Sequence, residues 1–598
     1  MKHRFVSCLV AAASLATSIA GCTAPETTSE EESEQIASTE DELYASSTEL
    51  WSARTIPVCW ENPGSDATAR AWVQSAVAST WSAHSSVVFS GWGQCTAGSR
   101  GIRIQIADVR PYVQALGRTL DGMVNGMVLN FTFAAWAPDC AATREHCIRA
   151  IAIHEFGHAL GFAHEQARPD TPSTCNEPPA GALGDFVLGA WDRDSVMNYC
   201  NPVWNGAGQL SAADIAGVQK LYGAQPARWT GDFNGDGRQD TLTVQGGRFR
   251  VGRSYGSSFN TTTWAHMPGW AHVLMPGSAA RTFVGDFNGD NRDDFLFTWE
   301  DGNVWVGRST GYSFVFELWA GAPGWGGVFK AGSAARTFVG DFNNDNRDDF
   351  LFTWEDGNVW VGRSTGSGFT FERWAGAPGW GGVIKAGSAA RTFVGDFNGD
   401  NFDDFMFTWE DGNVWVGRST GSGFTFELWA GAPGWGGVIK AGSAARTFVG
   451  DFNGDNRDDF LFTWEDGTWW VGRSTGSGFT YELWAGAPGW GSVITASSAA
   501  RTFVTDFNGD NRDDFLFTWP DGNLWVGRST GSGFTFELWA SVPGWGGVVD
   551  ASSPAQTFVG DFTGEGRSDF LFTWPDGTFW TGSSTGTSFG FNLFAYEL

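Results

Sequence analysis

Three histidines and a glutamate that lie close together in the chain form the pattern with the most chemical content. His154 and His158 are one helical turn apart, so a helix would carry both imidazoles on one face. Gly161 permits a backbone conformation that ends this helix and brings His164 round as a third ligand. Three neutral imidazoles suit Zn²⁺ and leave a position for water, whose proton Glu155 can take. The spacing predicts a hydrolytic zinc centre.

The alternative interpretation is that this segment is an ordinary helix. A bare His-Glu-x-x-His pattern arises by chance in many proteins, and its histidines then have only a structural role. The longer form, which also fixes Gly161 and His164, is much harder to obtain by chance. We therefore favour the metal site.

The residues around this pattern resemble a known family. The segment HEFGHALGFAHEQARPD, residues 154–170, resembles the astacin signature, including Glu165 and Arg168. About thirty residues downstream, Met197 lies where metzincins place the Met-turn beneath the zinc ligands. Tyr199 matches the astacin tyrosine that can ligate zinc and stabilise the oxyanion. The resemblance implies an α+β metzincin catalytic domain over residues 51–223 that acts as a zinc metalloendopeptidase.

Two fragments, one of them inside this segment, look more like matrixins, so the family within the metzincins stays open, with an astacin-like one favoured by Glu165 and Tyr199. They are HEFGHALG and LSAADIAGVQKLYG, the latter at residues 210–223. In astacins the glutamate at the position of Glu165 pairs with the trimmed N-terminus. An untrimmed, lipidated chain would lack such a free end.

The secondary structure of this domain is predicted from hydrophobic periodicity. We expect helices over residues 67–82 and 147–162, and strands over residues 55–60, 102–106 and 127–133. Metzincins bind extended substrate along an edge strand, and residues 126–133 are the candidate for that strand.

The N-terminus predicts export. Residues 1–22 have a basic start and an apolar stretch that ends in Ile-Ala-Gly-Cys, which resembles a bacterial lipobox with Cys22 as the lipidated residue. An ordinary signal peptide is the alternative. Residues 23–50 are rich in acidic residues, Ser and Thr, and predict a disordered linker or a short propeptide. The expected location is the bacterial cell envelope, at the outer membrane or cell surface, or the medium.

The cysteines agree with an oxidising compartment. Beyond Cys8 and Cys22, six cysteines remain, and all lie between residues 51 and 223. Fifteen pairings of six cysteines are possible. We expect Cys59–Cys95, Cys140–Cys147 and Cys175–Cys200.

From residue 226 onward the chain repeats a unit whose first Asp recurs at positions 232, 286, 341, 396, 451, 506 and 561. Each unit contains four short β-rich runs, and Asp-Gly turns such as Asp301-Gly302 separate two of them. Seven such units predict an all-β seven-bladed propeller over residues 226–598.

Each unit also carries a run Asp-x-Asn-x-Asp-x-x-x-Asp, which resembles the calcium loops of FG-GAP (VCBS) repeats. Hard oxygen ligands at alternate positions suit Ca²⁺, although the same residues could merely cap tight turns. The last copy, Asp561, Thr563, Glu565 and Asp569, departs most from the pattern. The candidate calcium ligands are Asp232, Asn234, Asp236, Asp240, Asp286, Asn288, Asp290, Asp294, Asp341, Asn343, Asp345, Asp349, Asp396, Asn398, Asp400, Asp404, Asp451, Asn453, Asp455, Asp459, Asp506, Asn508, Asp510 and Asp514.

Tryptophans recur in the loops that join the units, at positions 270, 325, 380, 435, 490 and 545. They either fill the space between blades or form a row of stacking platforms for sugars or peptides. The formal net charge of −29 argues against nucleic-acid binding.

Together these patterns predict an exported zinc metalloendopeptidase that acts on a protein or peptide, with a calcium-binding propeller for targeting or stability. A surface polymer or glycan is a possible ligand of the propeller, and any membrane contact would be made through the lipid anchor alone. The alternative function is a surface adhesin or lectin-like protein whose peptidase domain is idle. Intact Glu155 and a full set of three histidines favour the enzyme.

Overall fold

A computed structural model describes most of the chain beyond the N-terminal 43 residues. The described residues are 44–181, 183–187, 189–271, 273–275, 278–376, 378–431, 433–496, 498, 500–519, 521–542, 545, 555–574 and 577–596. Cys22 and the predicted signal peptide lie outside them. Among the described residues, no helix combines the length and the apolar character needed to cross a membrane.

The first part of the fold is a five-stranded sheet with helices. Its strands occur in the order β3-β2-β4-β6-β5, and β5 alone runs antiparallel to its neighbour. The strands are β1 (Tyr44–Ala45), β2 (Thr55–Trp60), β3 (Val88–Gln94), β4 (Ile102–Ile106), β5 (Tyr112–Val113), β6 (Met127–Leu129) and β7 (Phe186–Val187). The helices are α1 (Ala67–Val77), α2 (Arg144–Ala159) and α3 (Ala212–Tyr222).

The predicted edge strand is wrong. Residues 126–133 were expected at the rim of the sheet, but β6 pairs with β4 on one side and with β5 on the other. All three residues of β6 are buried, as expected for an interior strand. The outermost strand on this side is β5.

Helix α2 begins three residues before its predicted start and is almost wholly buried from Cys147 onward. It ends where Gly161 takes a φ of 99°, a left-handed value that residues other than glycine rarely adopt. The backbone N–H of Gly161 donates to the carbonyl of His158 at 2.9 Å, and that of Phe162 donates to Gly157 at 3.1 Å. The chain therefore reverses directly after the helix, as the sequence predicts.

Residues at the end of the predicted linker lie against this reversal. Tyr44 and Ala45 form β1, which pairs antiparallel with β7. Tyr44 is 6% exposed and Ala45 is fully buried. The N–H of Ser46 donates to the carbonyl of Gly161 at 2.9 Å.

Three disulfides tie this part of the chain together. They join Cys59 to Cys95, Cys140 to Cys147 and Cys175 to Cys200. The predicted pairing is confirmed.

The second part is the predicted seven-bladed propeller, which is confirmed. Each blade in the described chain is a four-stranded antiparallel meander in sequence order. The strands, numbered on from β7, are β8–β11 (Ala227–Gly231, Asp240–Gln245, Arg248–Ser254, Phe259–His266), β12–β15 (Arg281–Gly285, Asp294–Thr298, Asn303–Ser309, Phe314–Gly321), β16–β19 (Arg336–Gly340, Asp349–Thr353, Asn358–Ser364, Phe369–Gly376), β20–β23 (Arg391–Gly395, Asp404–Thr408, Asn413–Ser419, Phe424–Gly431), β24–β27 (Thr447–Gly450, Asp459–Thr463, Thr468–Ser474, Phe479–Gly486), β28–β31 (Thr502–Thr505, Asp514–Thr518, Asn523–Ser529, Phe534–Ser541) and β32–β35 (Gln556–Gly560, Asp569–Thr573, Thr578–Ser584, Phe589–Tyr596). Short helices α4 (Gly326–Phe329), α5 (Gly381–Ile384) and α6 (Gly436–Ile439) follow three of the blades.

The ring closes without exchange of a strand, because the first and last sheets are each built from one continuous segment. A serine at the end of each third strand bonds to the preceding blade, as Ser309 does to the carbonyl of Phe233 at 2.5 Å. Ser254 of the first blade makes the same bond to Phe562 of the last, also at 2.5 Å. The closing junction therefore uses the contacts of the other junctions.

The recurrent tryptophans fill the space between blades. The Trp325 ring packs against three rings of the next blade, Phe352 at 5.1 Å, Trp360 at 5.3 Å and Phe371 at 5.1 Å. The equivalent tryptophans repeat this arrangement. The tryptophans are partly buried in these contacts, which supports the packing interpretation.

Candidate metal centre

The three predicted ligand histidines converge on one point. Nε2 of His154 lies 3.3 Å from Nε2 of His164, and Nε2 of His158 lies 3.2 Å from the same atom. All three side chains are buried. In the described part of the chain, this is the group of three His, Cys, Asp or Glu side chains close enough together to hold a metal ion.

Backbone carbonyls orient all three rings. Nδ1 of His154 donates to the carbonyl of Val196 at 2.8 Å, and Nδ1 of His158 to that of Phe162 at 2.7 Å. Nδ1 of His164 donates to the carbonyl of Ala180 at 2.8 Å. Because a carbonyl only accepts, each Nδ1 carries the proton and each Nε2 presents its lone pair to the centre.

Burial also favours the neutral form that a metal ligand needs. It lowers the pKa of His154 to about 3 and that of His158 well below its usual value. The pKa of His164 is lowered for the same reason. Three neutral imidazoles with lone pairs aimed at one point fit a Zn²⁺ ion.

Glu155 and Tyr199 line the cleft beside these histidines. The cleft has a volume of about 450 Å³, and residues 110–116 form its opposite wall. Burial raises the pKa of Glu155 to about 8. The Tyr199 ring stacks on His154 with centroids 5.6 Å apart, and its hydroxyl lies 3.5 Å from Nη2 of Arg110.

Met197 packs against Gly157 of the helix that carries His154 and His158, and this close approach depends on the glycine. A Cβ on Gly157 would lie 2.4 Å from Sδ of Met197 and 3.0 Å from the Trp81 ring. The glycine in the middle of HEFGH is therefore needed for packing, which the sequence analysis did not recognise.

The turn that carries Met197 is held by Asp214 on α3. The Asp214 carboxylate accepts from Oγ of Ser195 at 2.7 Å and from the N–H of Val196 at 2.9 Å. It also accepts from the N–H of Ser211 at 2.9 Å, as part of a capping box at the start of α3. The carbonyl that orients His154 thus belongs to a turn fixed by a buried carboxylate.

Glu165 is already paired within the chain. Its carboxylate lies 3.1 Å from Nη1 of Arg168, and both side chains are fully buried. It also accepts from the N–H of Asp192 at 3.0 Å. Arg168 also pairs with Asp170 at 2.8 Å, and Oε2 of Glu165 is buried without a hydrogen-bond partner in the described chain. The pairing of Glu165 with a trimmed N-terminus therefore stays a prediction.

Sequence reasoning missed Arg110, Gly157 and Asp214. The Ser-x-x-Asp pattern before an apolar helix could have identified Asp214 as a capping residue. For Arg110 and Gly157 no local signal exists, because their partners are distant in the chain.

The predicted calcium loops share one geometry. In the second blade, the Asp286 carboxylate accepts from the N–H groups of Gly289 at 2.7 Å and Asn291 at 2.7 Å. Asn288 donates to Asp294 at 2.9 Å, and Asp290 pairs with Arg292. The loop therefore turns tightly around its first Asp.

The last Asp of each loop is fully buried at the start of the second strand. Burial raises the pKa of Asp294 to about 8, and the nearby carboxylates Asp290 and Asp286 add to the effect. Carboxylate and amide oxygens around a buried acid form a donor set suited to a hard cation. The seven buried acids are Asp240, Asp294, Asp349, Asp404, Asp459, Asp514 and Asp569.

One family profile matches a short stretch of the chain around the histidines. The profile of the astacin family (peptidase family M12A) matches residues 141–175, which include all three histidines and Glu155. A search of curated proteins found no match.

Among solved structures, a lectin from Agrocybe aegerita, described as recognising non-reducing terminal N-acetylglucosamine, has a TM-score of 0.52 and 18% identity. The match covers 62% of this chain and 90% of the lectin, and it shows a shared propeller fold. Myroilysin matches at 18% identity with a TM-score of 0.21, over 31% of this chain and 93% of its own.

Proposed function

We propose that this protein is an exported zinc-dependent metalloendopeptidase whose propeller targets or stabilises it. The observation that carries the proposal is the convergence of three Nε2 lone pairs, each fixed by a carbonyl on Nδ1, beside a glutamate. The match to the astacin family over the same residues supports it.

In this proposal His154, His158 and His164 hold Zn²⁺. Zinc at that point supplies a Lewis acid that polarises a peptide carbonyl and makes water more acidic. Glu155 then takes the proton from the attacking water and passes it to the leaving amine. Its buried position makes its carboxylate a stronger base than one in water, and the charge of a bound cation would bring its pKa back toward neutrality.

Tyr199 and Arg110 supply hydrogen-bond donors to the cleft. The Tyr199 hydroxyl faces the same cavity as Glu155, and Arg110 lies within 3.5 Å of it. Both groups can stabilise the negative charge that develops on the carbonyl oxygen. Tyr199 thus acts as an oxyanion donor, with Met197 and Gly161 holding the site in shape.

An extended peptide would pair with β5. This strand is the outermost in the sheet, and residues 112–116 line the cleft that contains Glu155. Main-chain pairing with an edge strand aligns a peptide without demanding a particular sequence. We therefore infer that the substrate is an unfolded or exposed segment of a protein.

The test is casein hydrolysis by the full chain, before and after removal of zinc by a chelator. Glu155→Gln should lower the rate of hydrolysis about 10²–10⁴-fold. Metal analysis should show that this variant still binds zinc. Glu145→Gln, a change of an exposed acid on the same helix, should leave the rate unchanged. Full activity of Glu155→Gln would remove the proposed mechanism.

The propeller is proposed to carry calcium and to bring the enzyme to a surface polymer. The buried acids of its loops support the first role. The fold shared with a sugar-binding lectin suggests the second. The N-terminal lipobox-like segment suggests that a lipid on Cys22 anchors the enzyme to the cell envelope.

A further inference from the structure

One junction of the propeller differs from the others in ways that suggest a ligand. A cleft of about 280 Å³ lies between the first and second blades, lined by Asn234, Asp236, Arg253, Tyr255 and Tyr312, among others. Loops of both blades form its walls. This junction differs from the others by two tyrosines and by the pairing of one arginine.

Both tyrosines stand where the other blades have small residues. Tyr255 occupies the position of Thr310 in the second blade, and Tyr312 occupies that of Ser367 in the third. Tyr255 is 55% exposed and Tyr312 is 74% exposed. Unlike the tryptophans between the blades, these rings offer free faces to a ligand.

Arg253 lacks the partner that its equivalents have. In the next five blades this arginine forms an ion pair with a glutamate of the fourth strand, as Arg308 does with Glu317 at 2.9 Å. In the first blade the glutamate is replaced by Thr262. Nε of Arg253 is buried and, within the described chain, has no hydrogen-bond partner.

Asp236, the acid among the lining residues of the cleft, is already paired. Asp236 lies 2.5 Å from Nη2 of Arg238. The Arg253 guanidinium lies over the Tyr255 ring, 5.9 Å from its centroid, so an aromatic face and a cation occur side by side. This combination favours a ligand with both a flat apolar face and a carboxylate.

We propose that this cleft binds a sugar residue that carries a carboxylate, with the Arg253 guanidinium on the carboxylate and the tyrosine rings against the sugar face. The inference rests on the targeting role proposed for the propeller, and it names a site and a ligand class for it.

A peptide fits the cleft less well than a sugar. In the two turns that form its walls, backbone N–H groups already donate within the turn. The N–H of Tyr255 donates to the carbonyl of Ser258 at 2.9 Å, and that of Thr310 donates to the carbonyl of Ser313 at 2.9 Å. No backbone edge is offered for main-chain pairing by these two turns. A single ring needs only the stacking faces and one charged contact.

The experiment measures binding of trigalacturonate to the full chain by calorimetry, beside its neutral methyl ester. The acid should bind at least tenfold more tightly than the ester. Thr262→Glu gives Arg253 the partner that its equivalents have, and should weaken binding of the acid at least tenfold without loss of the fold. Tyr255→Thr and Tyr312→Ser introduce residues that other blades carry, and each should also weaken it.

Tyr596→Ser, a change of an exposed tyrosine in the last blade, is the control and should bind normally. Equal affinity for the acid and the ester, unchanged binding by Thr262→Glu, or absence of binding would overturn the proposal. Binding of tetraglutamate in place of trigalacturonate would also overturn it, by assigning the cleft to a peptide. If the wild type and Thr262→Glu bind an envelope polysaccharide with equal affinity, the ligand does not bind in this cleft, but the targeting role of the propeller is supported.

Discussion

At the residue scale, the metal centre depends on backbone carbonyls more than on acidic side chains. The three groups that orient the imidazoles are the carbonyls of Val196, Phe162 and Ala180. A carboxylate in that position would raise the basicity of the ligand, whereas a carbonyl mainly fixes its tautomer and direction. The geometry of the site therefore depends on the path of the chain.

This dependence explains what the sequence could and could not reveal about the site. The spacing of His154, His158 and His164 predicts three ligands because a helix and a glycine turn place them. The carbonyl partners leave no trace in side-chain identity. Arg110 was missed for a related reason, since it reaches Tyr199 from a segment far away in the chain.

The role of Tyr199 can be separated from metal binding. Tyr199→Phe removes one donor near the developing negative charge, so kcat should fall about 10²-fold while zinc content and KM change little. Steady-state kinetics on a peptide substrate and metal analysis measure these quantities. Tyr112→Phe, which removes a hydroxyl on the opposite wall of the cleft, is the control and should retain kcat. Loss of zinc from Tyr199→Phe would instead make Tyr199 essential as a ligand.

Gly157 should be intolerant of a single added methyl group. The new Cβ would meet Sδ of Met197 at 2.4 Å, and such overpacking typically costs about 1–3 kcal/mol. We expect Gly157→Ala to lower the urea midpoint and the zinc affinity, although alanine favours a helix. In Gly157→Ala/Met197→Ala the space is released, so the double variant should be more stable than the sum of the single changes predicts. Additive losses would mean that the contact does not matter.

At the scale of elements, strands with strong patterns were predicted and short ones were not. The strands over residues 55–60 and 102–106 have the predicted bounds, because both are runs rich in β-branched residues. The segment 126–133 was taken for an edge strand although its apolar character is typical of an interior one. The true edge, Tyr112–Val113, has two residues and hence no periodicity to detect.

The propeller was the easiest part to predict, since the same pattern recurs in every unit. What the repeat did not reveal is how neighbouring blades are joined. Arg391, at the start of an inner strand, donates to the carbonyls of Lys440 and Ala445 at 3.0 and 2.7 Å, and to hydroxyls of Thr447 and Ser443 at 2.9 and 3.0 Å. All four acceptors belong to the loop and strand of the following blade.

Arg391→Met should therefore weaken the junction between the fourth and fifth blades. Several partly buried acceptors lose a charged donor, and we expect the stability to fall by about 2–4 kcal/mol. Urea unfolding followed by tryptophan fluorescence measures the change. The matched control is Arg373→Leu, an exposed position at which several other blades carry leucine. Its free energy of unfolding should stay within about 0.5 kcal/mol of the wild-type value. An equal loss in both variants would show that the interblade bonds contribute nothing specific.

At the scale of the whole molecule, charge and architecture are linked. The chain has a formal net charge of −29, and the propeller repeats an acidic loop in every blade. Self-repulsion of this kind destabilises a compact state. Cations bound in the loops would offset it.

Calcium should accordingly raise the thermal stability of the full chain. At a free concentration one hundred times its Kd, a ligand adds about 2.7 kcal/mol per site to the free energy of unfolding. Several calcium sites should therefore raise Tm clearly. The measurement compares protein dialysed free of divalent ions with the same protein after addition of calcium or magnesium. Magnesium should act weakly, because it prefers a small octahedral site with bound water.

A loop variant locates the effect. Asp396→Asn removes a charge from the acid around which the fourth-blade loop turns, and it should reduce the calcium-dependent rise in Tm. Asp411→Asn changes an acid in a hairpin turn of the same blade and should leave that rise intact. An equal Tm of the wild-type chain with and without calcium would mean that the loops are turns stabilised by their own hydrogen bonds. In that case the acids of the propeller would have to be balanced by the arginines beside them, such as Arg347 at Asp345.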